Sequence, residues 1–190
     1  MYQKYSTDAL VLGSRERGEA DRVYTLYTRD FGLVRARASA VRSEHSRMRY
    51  ALQNYSCANV SLVRGKRGWR IAGASALRGV SKNAENTAVF ARIAELATRL
   101  LGGEEENAYL FAALAEAHEA LMQDECPARA TIEIVCVARV LYALGYLSTE
   151  ALQTALFTHT AYTGEHLLEA ETKRDKLLSS INRAIAESQL

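Results

Sequence analysis

Residues 13–49 read GSRERGEADRVYTLYTRDFGLVRARASAVRSEHSRMR, and this stretch decides the fold. Two β-rich runs, at residues 22–28 and 33–38, are separated by a four-residue turn that contains Gly32. Two strands joined by a short glycine-containing turn predict a β-hairpin. A basic segment without a hydrophobic period follows this hairpin.

The second strand of the hairpin is expected to be amphipathic. Val34, Ala36 and Ala38 alternate with Arg35 and Arg37, and successive side chains point to opposite faces of a strand. One face can therefore enter a core while the other presents two guanidinium groups to solvent. An arginine pair on a strand is typical of a solvated face, but the segment after it favours a binding surface. That segment carries Arg42, Arg47 and Arg49.

Three further runs complete a pattern of five strands. Residues 7–12 are apolar on both faces, and residues 56–64 and 69–74 are also read as strands. A short segment at residues 47–53 is compatible with one or two helical turns. Five short strands with one interruption fit a small closed or partly open β-barrel, for which the OB-fold is one candidate.

The hydrophobic period changes to that of helices from residue 81 onward. Helices are expected at residues 84–101, 107–123, 149–158 and 169–188, and another is expected to begin near Pro127 and end at Gly145. Asn107 and Ser148 are the expected caps of two of them. The predicted fold class is α+β with two domains, a five-stranded β-barrel at residues 1–80 and an all-α helical bundle at residues 81–190.

Charge is distributed unevenly along the 190 residues, although the formal net charge is only +2. Residues 1–80 hold 15 basic and 6 acidic side chains, a net charge of +9. Residues 81–190 hold 9 basic and 16 acidic side chains, a net charge of −7. This asymmetry suggests two units with different partners, and it makes the basic half the natural site for a polyanion.

Composition argues against several classes of protein. No apolar run is long enough for a membrane span, and the N-terminus lacks the apolar core of a secretory signal, so a cytoplasmic location is expected. Cys57, Cys126 and Cys136 are too few and too scattered for a disulfide framework or a structural zinc site. His159 and His166 have no partner at metal-ligand spacing. No metal or other cofactor is expected.

The sequence contains no recognisable catalytic motif. It lacks the glycine-rich loop with lysine that cradles nucleotide phosphates, and it lacks a serine in a glycine elbow. Acidic pairs such as Glu16 and Glu19 lie in expected exposed turns. The chain is therefore expected not to be an enzyme, and a catalytic site hidden from sequence analysis is kept as the third of three hypotheses.

The basic half combines positive charge with aromatic residues. Neutralised phosphates supply most non-specific affinity for nucleic acid, and single strands also need flat groups on which bases stack. Trp69, between Arg67 and Arg70 beside a glycine turn, is the expected stacking residue. Replacement of Arg35 and Arg37 by alanine is expected to weaken binding, and replacement of Arg92 and Arg99 in the helical half is expected to do much less. The residues predicted to bind nucleic acid are Arg15, Arg17, Arg22, Arg35, Arg37, Arg42, Arg47, Arg49, Lys66, Arg67 and Trp69.

Short words in the basic half also occur in a known family. In chain order they are GEADR at 18–22, TL at 25–26, TR at 28–29, GLVR at 32–35, Ala38, SR at 46–47, AL at 51–52 and RG at 64–65. Their order and spacing resemble the opening of the RecO family of DNA repair and recombination mediator proteins. In the helical half, LYALGY at 141–146 resembles the Leu-Gly-Tyr helix end of that family.

The resemblance implies both a fold and a function. The fold is an OB-fold barrel joined to a helical domain. The function is binding of single- and double-stranded DNA, annealing of complementary strands and, with the partner RecR, loading of RecA onto DNA coated by the single-stranded-DNA-binding protein SSB. A nucleoid-associated location goes with that role. The alternative is a generic OB-fold adaptor that binds single-stranded nucleic acid without a role in recombination.

The sequence departs from the family pattern in one region. Many members carry a four-cysteine zinc motif after the helix end, whereas residues 147–168 contain no cysteine. The resemblance is therefore to a reduced, zinc-free member. The family also contacts the acidic tail of SSB through the helical domain of some members. The net charge of −7 on residues 81–190 opposes an acidic peptide unless the few basic side chains cluster.

Overall fold

The fold begins with a closed barrel of five strands, in a computed structural model that describes residues 3–148 and 154–187. The strands pair in the order β1-β2-β3-β5-β4, β4 closes on β1, and only the pair of β3 with β5 is parallel. This order is that of an OB-fold, so the predicted five-stranded barrel is confirmed. The elements are β1 (Lys4–Arg17), β2 (Asp21–Thr28), β3 (Gly32–Ala38), the short helix α1 (Met48–Ala51), β4 (Cys57–Gly65) and β5 (Gly68–Arg78).

Alternating side chains fill the barrel, as the sequence predicts for β3. Val34, Ala36 and Ala38 are fully buried, whereas Arg35 is exposed and Arg37 is half-buried. The same alternation brings apolar side chains of the other strands into one core. Its further buried members are Ala9, Val11, Tyr24, Leu26, Val41, Leu52, Ala58, Val60, Leu62, Trp69 and Ile71.

The first strand is buried on both faces, in agreement with its apolar sequence. Ala9 and Val11 belong to the barrel core, whereas Leu10 and Leu12 pack in a second cluster that the barrel forms with helices. A strand whose two faces are both covered needs apolar side chains at successive positions. The outer face of the barrel is therefore partly an interface.

The exposed turn expected around Glu16 and Glu19 is shorter than the sequence suggests. Pairing of β1 with β2 continues until Arg17 faces Asp21, and only residues 18–20 form the turn. Strand β4 pairs with β1 only as far as Leu10. Beyond Val11, whose backbone still bonds to Tyr55 and Ser56, β2 is the only strand that pairs with β1 among the described residues, so polar side chains are tolerated on both faces of β1. The hydrophobic alternation that identifies a strand is therefore missing there.

Five helices follow the barrel in the described part of the chain. They are α2 (Ala84–Leu100), α3 (Ala108–Leu121), α4 (Arg129–Ala143), α5 (Gly164–Thr172) and α6 (Arg174–Glu187). Asn107 caps α3 by accepting a hydrogen bond from the amide of Leu110 at 2.8 Å, which confirms the predicted cap. Among residues 3–148 and 154–187, the chain has no helix whose length and hydrophobicity would let it span a membrane.

A helix is predicted at residues 149–158 with its cap at Ser148, but the described residues of this range, 154–158, are not helical. Residues 149–153 lie outside the described residues, and residues 154–158 form a turn. There the hydroxyl of Thr154 accepts a hydrogen bond from the amide of Leu156 at 3.1 Å. Such local side-chain bonds compete with helical ones, which explains why an apparently helical sequence forms a turn.

The single helix predicted at residues 169–188 is two helices, α5 and α6. The backbone leaves the helical conformation at Lys173, with φ of −105° and ψ of 11°. Ala170 of α5 and Leu177 of α6 are both buried in one cluster with residues of α4. Residue 188 lies outside the described residues.

The barrel and the helices share one hydrophobic cluster. Leu10, Leu12 and Tyr27 of the barrel are buried with Phe90 of α2 and Phe111 of α3, among others. The last strand ends at Arg78 and α2 begins at Ala84. Apolar side chains on the outside of the barrel are therefore buried by the helices. Binding experiments thus need the intact chain and not the barrel alone.

The turn between β2 and β3 makes the closest approach to the helical part. Gly32 has φ of +61°, and a Cβ atom at that position would lie 2.1 Å from the carbonyl oxygen of Glu105. The amide of Leu33 donates a hydrogen bond to the carbonyl oxygen of Gly103 at 3.0 Å. Both the backbone conformation and the close contact therefore require glycine at position 32.

A buried histidine joins the two parts as well. His118 of α3 is fully buried, and its Nε2 lies 2.8 Å from the carbonyl oxygen of Tyr55. Because a carbonyl oxygen only accepts, Nε2 carries the proton and donates it. Burial lowers the pKa of His118 to about 4, since the charged imidazolium would lose its hydration. The neutral form therefore belongs to the folded state.

Candidate nucleic-acid interface

The strands β1, β2 and β3 build a basic face on the outside of the barrel. Arg15 on β1 and Arg37 on β3 both pair with Val23 of β2, so their side chains flank it. Facing Cβ atoms on neighbouring strands lie about 5 Å apart. Arg17 and Arg35 extend this arrangement, because they lie two positions away on the same strands. We call Arg15, Arg17, Arg35 and Arg37 the outer basic face.

One of these arginines is held in place by an acidic residue. Arg37 Nε donates to Asp21 Oδ2 at 2.7 Å, and Arg37 Nη2 makes a second short contact with the same oxygen. Asp21 Oδ1 accepts a hydrogen bond from the amide of Ala40 at 2.8 Å. This amide and Arg37 lower the pKa of Asp21. Arg37 is therefore partly a structural residue, whereas Arg15 and Arg35 are exposed and make no ion pair within the described residues.

A groove of about 410 Å³ lies at one end of the outer basic face. We call it the turn groove, because Lys66 and Arg67 of the β4–β5 turn line it. Arg17 and Arg37 line its other side, and Arg70 of β5 is a further cation that the sequence analysis did not select. The loops between β1 and β2 and between β4 and β5 border the ligand-binding face of OB-folds. The predicted residues at this end do come together.

A second groove, of about 510 Å³, lies at the other end of the face and is bounded by α2. Arg15 and Arg35 line it from the barrel, and Arg92 and Arg99 line it from the helix. Arg92 and Arg99, which are expected to contribute much less to binding than the barrel arginines, thus lie beside two of them. Arg92 is bound by both carboxylate oxygens of Glu133, at 2.6 and 2.7 Å, so Arg99 is the freer cation of the two. We call this depression the helix groove.

The prediction that Trp69 offers a stacking surface is wrong. Its side chain belongs to the barrel core and the residue is only 5% exposed. Its ring centroid lies 5.2 Å from that of Phe31 and 5.8 Å from that of Tyr5. The guanidinium carbon of Arg64 lies 5.2 Å from its centroid. Trp69 forms the floor beside the turn groove and has no free face for a base.

The exposed aromatic residue among the arginines is Tyr50, which lies in α1 and is 63% exposed. The guanidinium carbon of Arg49 lies 4.7 Å from the centroid of the Tyr50 ring, and Arg49 Nη2 donates to the tyrosine hydroxyl at 2.6 Å. The sequence analysis selects Trp69 as the stacking residue and not Tyr50. Its position in a short helix gave no alternation from which exposure could be read.

The remaining predicted arginines do not belong to the outer basic face. Arg22, Arg42 and Arg49 line a separate depression of about 230 Å³ next to the segment that links β3 with α1. Arg47 is exposed and precedes α1 as its N-cap residue. The predicted set is thus divided between two surfaces of the barrel.

The three cysteines are free and buried. Burial raises the pKa of Cys57 and of Cys136 to about 11, so both are protonated thiols at neutral pH. In the described ranges no three histidine, cysteine or acidic side chains gather as a metal site would require. The rings of His159 and His166 stack on each other with centroids 5.7 Å apart.

Comparison with known proteins gives one consistent result. Residues 1–80 match the family described as "Recombination protein O N terminal". The chain is similar to the DNA repair protein RecO of Desulfitobacterium hafniense, with 45% identity over 62 residues, which are 33% of this chain and 23% of that protein. It is also similar to RecO of Rubrobacter xylanophilus, with 35% identity over 102 residues, which are 52% of this chain and 41% of that protein.

A third relative extends the match into the helical part. RecO of Dehalococcoides mccartyi is 28% identical over 120 residues, which are 62% of this chain and 47% of that protein. The matched region thus spans less than half the length of each of these three relatives.

Proposed function

Since this chain belongs to the RecO family through its N-terminal domain, we propose that it binds single- and double-stranded DNA and acts in recombinational DNA repair. The observation that carries the proposal is the outer basic face with a groove at each end. Guanidinium and ammonium groups along an open surface neutralise successive phosphates and release their counterions. The family to which the barrel belongs and the positive charge of its surface thus both support DNA as the ligand.

The contacts expected on this face are with the nucleic-acid backbone rather than with base edges. Its functional groups are arginine and lysine side chains on a sheet, and a sheet face of this kind carries no recognition helix that could enter a major groove. Binding is therefore proposed to depend little on sequence. The chain is proposed to act by binding and not by catalytic turnover.

The finer role follows from the family. The chain is proposed to anneal complementary strands and, together with RecR, to help load RecA onto DNA coated by SSB. Direct contact with SSB requires a cationic patch in a helical part whose net charge is −7. Arg99 in the helix groove is one of the few cations of that part on a surface continuous with the barrel.

A generic adaptor for single-stranded nucleic acid is the second candidate. The backbone-directed character of the outer basic face favours it, because such contacts serve RNA as well as DNA. The two candidates differ in their protein partner. Purification of the chain together with RecR supports the repair role, and a failure to bind RecR at micromolar concentrations supports the adaptor.

The deciding experiment is a strand-annealing assay on SSB-coated complementary oligonucleotides, with and without RecR. The intact chain is compared with Arg15→Ala plus Arg35→Ala, and with a control, Lys176→Ala plus Arg183→Ala, that removes two exposed cations from α6. We expect annealing by the intact chain and by the control, and slower annealing by the barrel variant. No annealing by the intact chain under any of these conditions contradicts the proposed repair role.

A further inference from the structure

We infer that the barrel has a second binding surface for single-stranded nucleic acid, formed by Arg22, Arg42, Arg49 and Tyr50. The inference rests on the proposed function, because it assigns a second strand to a protein that already binds one. It concerns the depression next to the segment between β3 and α1, which we call the inner basic pocket. The pocket has a cationic part and an aromatic part.

The inner basic pocket and the outer basic face lie on opposite sides of the β1–β2 ribbon. Glu16 lies between Arg15 and Arg17 on β1, and it pairs with Arg22 of β2. Because side chains alternate along a strand, Glu16 and Arg22 point away from the side that carries Arg15 and Arg17. A strand bound on one side does not occupy the other.

The cationic part of the pocket has an excess of positive charge. Arg22 Nη2 lies 3.3 Å from Glu16 Oε1, and Arg42 Nη1 lies 3.4 Å from Glu16 Oε2. One carboxylate therefore serves two guanidinium groups at long distances, while Arg49 adds a third. The Nε of Arg22 is buried and has no hydrogen-bond partner within the described residues. A phosphate oxygen can balance this charge through the Nη groups, since the side chains of Arg22 and Arg42 are 38% and 37% exposed.

The backbone fixes the position of these cations. The amide of Arg42 donates to the carbonyl oxygen of Ala20 at 3.0 Å, which ties the segment to the β1–β2 turn. Val41 is buried in the barrel core and lines the pocket. Arg42 is thus held next to Arg22 before any ligand binds. A pre-formed site loses less conformational freedom on binding than a mobile one.

The aromatic part is Tyr50, which continues the pocket through Arg49. Arg49 covers one face of the Tyr50 ring and leaves the residue 63% exposed. A base can therefore stack on the open face while its phosphate lies against the guanidinium groups. Stacking requires a base face that is not covered by a neighbouring base pair. The pocket is accordingly assigned to single strands and not to duplex.

The test counts strands on the intact chain by native mass spectrometry. The probe is an oligothymidylate of about six nucleotides, which is near the lower limit of the site size of an OB-fold. We expect complexes of one chain with two oligonucleotides. Tyr50→Ala should weaken the second binding event roughly tenfold while the first remains. Tyr146→Ala is the matched control, because Tyr146 is 45% exposed and belongs to the helical part.

The outcomes separate the inference from the proposed function. One oligonucleotide per chain, unaffected by Tyr50→Ala, overturns the inference and leaves the proposed function in place. No binding at all overturns both. Equal loss of the second oligonucleotide in Tyr50→Ala and Tyr146→Ala also overturns the assignment of the pocket. An oligonucleotide with photoreactive 5-iodouracil gives a second readout. We expect it to crosslink to Tyr50. If two oligonucleotides are bound per chain and no crosslink to Tyr50 forms, stacking on Tyr50 is contradicted.

Discussion

Removal of Arg15 and Arg35 isolates the contribution of charge on the outer basic face. Both side chains are exposed, line the helix groove and make no ion pair among the residues that the structure describes. Their replacement by alanine should therefore change the free energy of unfolding by no more than about 0.5 kcal/mol. Arg37 is less suitable, because its loss would leave Asp21, whose side chain is only 15% exposed, without its ion-pair partner.

The size of the effect follows from counterion release. Each phosphate contact to a single strand contributes about 0.7 to the slope of log K against log salt, so two contacts contribute about 1.4. With the electrostatic contribution taken as zero near 1 M salt, this slope corresponds to about 25-fold weaker binding at 0.1 M salt. The loss should be similar for different sequences, because the contacts are with phosphates.

The assay is fluorescence anisotropy of a labelled oligothymidylate at several salt concentrations, with Arg15→Ala plus Arg35→Ala compared with the intact chain. The control is Lys176→Ala plus Arg183→Ala, which removes the same charge from α6. We expect a smaller slope only for the barrel variant. An unchanged slope in a variant with an unchanged melting temperature would refute the assignment of these arginines to phosphate contacts.

Three further predictions concern stability and metal. Gly32→Ala should lower the free energy of unfolding by roughly 2–3 kcal/mol in urea titrations. The control Gly18→Ala should lower it by roughly 1 kcal/mol, because Gly18 has φ of +67° but no atom near its Cβ position. Equal losses in the two variants would contradict the contact with Glu105. The unfolded chain protonates His118 near its ordinary pKa of 6.5 whereas the folded chain does so at about 4, so stability should fall by about 1.6 kcal/mol as pH drops from 6.5 to 5. His118→Gln should lose this dependence in urea midpoints, and an identical pH slope in both proteins would contradict it. Elemental analysis should find no stoichiometric zinc, and unfolding midpoints should be the same with chelator, whereas one zinc per chain would overturn this prediction.

Local alternation was sufficient to predict the barrel but not the position of every aromatic residue. The strands around Val34 and Val60 have apolar side chains at every second position, and they form the core as expected. The prediction for Trp69 is wrong although the same rule applies to it. It lies two positions before the buried Ile71, and Arg70 between them is exposed, so the alternation already placed Trp69 inside.

The division of the cations into two surfaces was also present in the sequence. Glu16 lies between Arg15 and Arg17 in the sequence, and Arg22 follows Asp21. Once β1 and β2 are known to be paired strands, this alternation places Glu16 and Arg22 on the side of the ribbon opposite to Arg15 and Arg17. The polar character of residues 14–21 conceals this, because a polar run is typical of an exposed turn. The strand could be recognised only from its pairing with β2, which is a non-local property.

The contribution of α2 to the site could not be read from the sequence. Arg99 is close to Arg35 because the barrel and α2 share a hydrophobic cluster, and periodicity within a helix does not say which strand it packs against. Arg139 is a similar case. It is fully buried and donates hydrogen bonds to the carbonyl oxygens of Leu156, Thr160 and Ala161. Those acceptors belong to an irregular segment whose path has no sequence period.

The most direct test of the central claim is an arginine footprint of the intact chain, in which phenylglyoxal modification is mapped by mass spectrometry with and without oligothymidylate. The account predicts that DNA protects Arg15, Arg17 and Arg35 on the outer basic face and leaves Arg183 of α6 as reactive as before. Protection of Arg183 with no change at Arg15, Arg17 and Arg35 would contradict the claim that the barrel face binds nucleic acid.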